Sequence, residues 1–66
     1  MITREQFARW SLEWDIAQGN MPRTATLEGL SGEERDLYLM EADIYLGMDK
    51  NDWPLDILER LKEEEN

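Results

Sequence analysis

At 100° per residue, Phe7, Trp10, Trp14 and Ala17 fall within about 80° of one another on a helix, while Ala8, Leu12 and Ile16 form a second stripe roughly 165° away. The segment from Leu37 to Met48 repeats the arrangement. Leu37, Met40, Ile44 and Met48 make one stripe, and Tyr38, Ala42 and Tyr45, with Leu39 and Leu46 beside them, make another nearly opposite. A surface helix of a small domain needs one buried face. Two helices that each offer two apolar faces restrict the chain to two kinds of architecture. Either a helix is packed from both sides within the domain, or one face is left for a second molecule.

The chain has 66 residues, which makes one domain spanning 1–66. A chain of this size buries only about 60% of the surface its unfolded form exposes, and its core rarely supplies more than ~3–5 kcal/mol. Small domains usually add a disulfide, a metal or a partner. There is no Cys and no His, so disulfides, thiolate sites and imidazole ligands are excluded and no metal or cofactor is expected. A homodimer or another protein remains as the stabilising addition. Apolar residues make up 41%, with three Trp, two Tyr and one Phe. That content argues against a disordered tail.

Local signals mark three helices, at about 4–18, 32–46 and 53–63, and the fold class is all-α. Thr3 and Gln6 form a T-x-x-Q capping box, with Ile2 and Phe7 at the spacing of a hydrophobic staple. Gly19 is a natural stop, with Pro22 beyond it. Ser31 and Glu34 form a second capping box, and Gly47 is the expected end of that helix. Pro54 suits the first turn of the third helix. There Ile57, Leu58 and Leu61 cover a single side, with Leu55 at its margin. In the intervening loop, Leu27 and Leu30 are spaced for a short extra turn near 26–30 that pins the loop to the core.

Net charge is −9 and is unevenly spread. Residues 1–31 carry four acids against three cations, and residues 32–66 carry twelve against four. Reading DNA needs Lys and Arg along a recognition helix. The second helix has Arg35 among five acids, so direct nucleic-acid binding is not expected. Asp36 and Asp43 lie two turns apart, roughly 10 Å along a helix axis, on a solvated face and without the cleft that paired-carboxylate catalysis requires. The segment from Asp49 to Arg60 begins like a calcium loop at Asp49 and Asn51. It has Pro54 where that loop needs Gly and Arg60 where it needs a bidentate Glu. The N-terminal MITREQ is polar within three residues, and no apolar run approaches the ~18 residues of a membrane span. A cytoplasmic location is therefore expected.

What remains is a small acidic, non-enzymatic protein-interaction module. Tyr38, Leu39, Tyr45 and Leu46 are the expected partner-binding residues, since Tyr is enriched at interface hot spots. Glu34, Glu41, Asp36 and Asp43, in two columns between the stripes, are the expected acidic rim. Phe7, Trp10, Trp14, Leu37, Met40, Ile44, Leu58 and Leu61 are the expected core. The two stripes of the second helix are similar in size, so the reverse assignment stays open. So does the simpler arrangement in which helices one and three cover both faces of helix two. The partner would be a protein with a basic surface, a second copy of the chain, or both. In size, acidity and helix content the chain also resembles small inhibitors encoded by phages and other mobile elements, such as anti-restriction and anti-CRISPR proteins. That resemblance lies in gross properties and brings no residues across. It implies an acidic inhibitor or nucleic-acid mimic that occupies the basic site of a nucleic-acid-binding protein.

Overall fold

The first two helices begin where their capping residues stand. The computed structural model describes residues 2–65. Helix α1 spans Arg4–Ala17, α2 spans Gly32–Leu46, and α3 spans Leu55–Glu65, with a 3-10 turn at Lys50–Asp52 ahead of α3. No strand occurs among the described residues, and the fold is all-α. The Thr3 hydroxyl accepts the Gln6 N–H at 3.1 Å. Ser31 accepts the Glu34 N–H at 3.2 Å and donates to the Glu34 carboxylate at the same distance. Each cap satisfies a backbone donor that the helix itself leaves free. Ile2 packs against the core that Phe7 enters, as a staple should.

The helices end by different means. Gly19 has φ +81°. Its N–H donates to the Ile16 carbonyl, and the Asn20 N–H donates to the Asp15 carbonyl, which is a Schellman closure. Gly47 also follows a helix, but its φ is −84°. The expected glycine stop at α2 is therefore a right-handed turn that any residue can adopt. The chain leaves it through Met48, whose N–H donates to the Tyr45 carbonyl. Asp49 then caps the 3-10 turn by accepting the Asn51 N–H at 3.1 Å. Alanine at the two glycines should consequently act in opposite directions. Gly19→Ala places a Cβ at positive φ and is expected to cost about 1–2 kcal/mol. Gly47→Ala would meet only ordinary contacts, at 3.6 Å to two carbonyl oxygens, and is expected to gain about 0.4–1 kcal/mol. Thermal melts of the two variants check this.

The core consists of Phe7, Ala8, Trp10 and Leu12 from α1, Leu27 from the loop, Ala42 from α2, Trp53, and Ile57 and Leu61 from α3. Both stripes of α1 contribute to it, and α1 packs against α2 and α3. The helix covered from two sides is thus α1, which corrects the arrangement centred on helix two. The inward faces explain why. α1 carries the bulkiest buried set, with Phe7 and Trp10, and the fully buried Ala8 and Ala42 keep the inner faces of α1 and α2 slim where they are covered. α3 contributes the single apolar side read from its sequence, and Leu55 at its margin is exposed.

The loop over residues 18–31 is held by small turns. Ala25 donates to the Pro22 carbonyl. Thr26 accepts the Gly29 N–H through its hydroxyl at 3.0 Å and the Leu30 N–H through its carbonyl, forming the expected turn near 26–30. Leu27 is buried and Leu30 packs against the core. Three ion pairs, Arg4–Asp43, Arg9–Glu28 and Arg60–Glu13, tie α1 to α2, to the loop and to α3. All are partly exposed and each contributes little on its own. The Arg60 guanidinium also lies 5.8 Å from the Trp10 ring centre, near enough for a cation–π contact. No helix among the described residues is long and apolar enough to cross a membrane.

Candidate interaction surface

Helix α2 is held in one rotational setting by three side-chain contacts on its inner face. The Tyr45 ring stacks on Phe7, with centroids 5.5 Å apart and an interplanar angle of 18°. Trp53 meets Phe7 edge-on at 5.4 Å, and its indole N–H donates to the Tyr45 carbonyl at 2.6 Å. Tyr38 donates its hydroxyl proton to Asp15 on α1 at 2.5 Å. Aromatic residues whose polar ends also find partners fix orientation as well as burial. Between them, one turn from Tyr38, Ala42 is fully buried.

This setting exchanges the expected roles of the two stripes. Leu37, Met40 and Ile44, expected in the core, are 56%, 54% and 57% exposed, and Met48 is 45% exposed. Tyr38, Leu39, Tyr45 and Leu46, expected to meet a partner, pack against the core, each partly exposed at its margin. Trp14, also expected inside, is 45% exposed. Phe7, Trp10 and Leu61 are buried as expected, and Leu58 is half-buried. The exposed stripe was legible as apolar. Its outward setting has no sequence signal: at 100° per residue Glu33 falls between Met40 and Ile44 on one arc, and Arg35 falls between Ala42 and Leu46 on the other.

Glu34, Asp36, Glu41 and Asp43 are all exposed. They run as two columns along the borders of the outward stripe, so the acidic rim frames the face opposite to the one expected. Asp43 takes a two-pronged contact from Arg4, with Nε to Oδ1 at 2.9 Å and Nη2 to Oδ2 at 2.7 Å. Among the described residues, the Glu34 carboxylate accepts from its own capping Ser31. Beside Glu41, an open cleft of about 230 Å³ runs between α1 and the start of α3. Trp14, Tyr38, Pro54 and Ile57 form its apolar lining, and Asp15 and Asp56 add to its acidity.

Burial, then the hydrogen bond to Asp15 and the negative charges of Asp15, Glu41 and Glu34, push the Tyr38 hydroxyl above its ordinary range. The folded state therefore holds this proton more tightly than the unfolded chain. That contribution is complete below the unfolded value of about 10 and declines as pH rises through and beyond it. Tyr38→Phe is expected to cost about 0.5–1.5 kcal/mol near neutral pH through the lost hydrogen bond. The gap between variant and wild type should then narrow above about pH 10. Urea titrations at pH 7 and pH 10.5–11 check the sign. An unchanged or widening gap would contradict it.

Among the described residues, no group of three or more metal-ligating side chains comes together. Compared with models of protein families, with curated proteins and with solved structures, the chain finds no match.

Proposed function

We propose that this chain is a non-enzymatic protein-interaction module whose docking surface is the outer face of α2. The observation that carries this reading is the row of four large apolar side chains, Leu37, Met40, Ile44 and Met48, each about half exposed and bordered by carboxylates. Single exposed apolar residues are ordinary, whereas a contiguous row with a polar border marks a contact surface. The row follows helical spacing, so it presents one continuous strip, which is how helices meet partners. Met40 and Met48 add adaptable side chains suited to varied partner surfaces. The excess of acid in residues 32–66 would steer a basic partner toward this half of the molecule.

An acidic mimic of nucleic acid is the competing reading. Such a mimic works through its carboxylates and has no use for an apolar row between them, which favours the protein dock. The double variant Leu37→Asp/Ile44→Asp separates the two. A partner held by the apolar row is lost from the variant and kept by a control such as Arg23→Ala, since Arg23 lies on the exposed loop. A mimic's partner would survive the double substitution, would be displaced by DNA or RNA, and would dissociate steeply with salt.

A further inference from the structure

We infer that the occupant of the α2 face is an amphipathic helix whose apolar seam is edged with Lys and Arg, and that a second copy of this chain is excluded from that position. The inference rests on the docking reading above and adds the chemistry of the partner. Along α2 the exposed row follows coiled-coil spacing, with Leu37 and Ile44 seven residues apart and Met40 three after Leu37. In that register Leu37 and Ile44 take the a positions and Met40 the d position. The edge positions e and g, which face the edges of an opposing helix, are then Glu34 and Glu41 on one side and Asp36 and Asp43 on the other. Ala42 takes position f, farthest from the seam, and it is fully buried in the chain's own core. The seam thus lies on the side of α2 opposite its buried face, and its three side chains are each more than half exposed.

The four edge positions within α2 are all acidic and exposed. Edge residues select coiled-coil partners by charge. A second copy packed parallel would set Asp36 of one chain against Glu41 of the other, and an antiparallel copy would set each acidic column against itself. Both orientations oppose like charges along both borders. Of the four, only Asp43 forms an ion pair among the described residues, with Arg4, which relieves one edge position and leaves Glu34, Asp36 and Glu41 to oppose a second copy. A helix with Lys or Arg at its edges meets opposite charge on both sides of the same apolar seam. Within α2 the seam from Leu37 to Ile44 extends about 10 Å, two turns, and Met48 follows just past the end of the helix, so a short partner helix is enough to cover it.

The test uses synthetic helical peptides of about 15 residues, with Leu at the seam and Lys, Gln or Glu at every edge position, each held helical by a lactam bridge on its outer face. Binding to the full chain is read by fluorescence anisotropy at low and high salt, and sedimentation reports the chain's own association state. The Lys-edged peptide is expected to bind. Its affinity should fall at least about tenfold with Gln at the edges, with Ile44→Asp in the protein, or on raising salt toward 0.5 M. The Glu-edged peptide should not bind, and the protein should sediment as a monomer. Equal binding of the Lys- and Gln-edged peptides, both sensitive to Ile44→Asp, would overturn the basic occupant and leave the docking face standing. Self-association abolished by Ile44→Asp would assign the face to a second copy. Lys-edged binding indifferent to Ile44→Asp, or no binding by any peptide, would overturn the inference and count against the docking reading with it.

Discussion

Phe7→Ala is expected to leave the chain largely unfolded at 25 °C. Phe7 has no exposed surface and joins three elements, stacking on Tyr45 of α2 and meeting Trp53, from the segment before α3, at nearly a right angle. Truncating a buried Phe to Ala typically costs about 3–5 kcal/mol through lost transfer energy and the cavity left behind. A core of this size supplies about the same amount in total, and there is no disulfide to hold the chain in reserve. Circular dichroism at 222 nm through a urea titration checks this. The wild type should show a cooperative transition, and the variant a weak signal with little or no baseline before unfolding. Phe7→Leu, which fills most of the space but loses both ring contacts, should fold with a lowered midpoint. A Phe7→Ala transition near that of wild type would mean that the aromatic cluster does not join the helices as described.

Ala42→Asp is the second large expected effect. Ala42 is fully buried on the inner face of α2, in a core with no buried polar or charged residue among the described ones, so a carboxylate there would be removed from water into apolar surroundings. Desolvating an unpaired charge costs several kcal/mol, whether as charge or as the work of protonating it. Asp is also a poorer helix former than Ala by up to about 0.7 kcal/mol. These terms act in one direction and together match or exceed the stability available to a domain this small. The variant should lose cooperative unfolding and its near-ultraviolet Trp signal. Two residues along the same helix, Ile44 is more than half exposed, and a carboxylate there would remain hydrated.

Much of the fold was legible because it depends on local rules. Thr3 and Ser31 are oxygen-bearing residues placed three before a Gln and a Glu, and a capping box needs nothing from the rest of the chain. Gly19 stops α1 for a backbone reason that is equally local. Leu27 announced itself as an apolar residue in a loop that must be tied down. The setting of α2 was not legible in the same way. Periodicity shows that a helix has two apolar faces, but which one is covered depends on the shape of α1, far away in sequence. The frequency of Tyr at interfaces points Tyr38 and Tyr45 outward. The same amphipathic ring, with Asp15 in reach of Tyr38 and Phe7 against Tyr45, serves the inner face instead.

Trp14 and Trp53 show the same limit from two directions. Trp14 shares an arc with Phe7 and Trp10, yet it lies near the end of α1 and stays half exposed at the mouth of a cleft. Trp53 sits in a short polar segment with no periodicity to flag it, yet it is buried and hydrogen-bonded. A large indole next to a proline was its one signal. The exposed acidic columns border a stripe whose residues are expected in the core and lie outside it. Charge and apolar surface therefore still meet on one half of the molecule, now as Leu, Met and Ile between carboxylates.

The outward setting of Leu37, Met40, Ile44 and Met48 is the claim on which the proposed docking surface depends. Urea unfolding of Ile44→Asp beside Ala42→Asp tests it most directly, because the same side chain is introduced on opposite faces of one helix. Ile44→Asp is expected to keep a cooperative transition, with stability within about 1 kcal/mol of wild type. Ala42→Asp is expected to show no folded baseline. The opposite ranking, with Ile44→Asp unfolded and Ala42→Asp close to wild type, would mean that α2 turns its Leu–Met–Ile stripe inward and that the docking face lies on its tyrosine side.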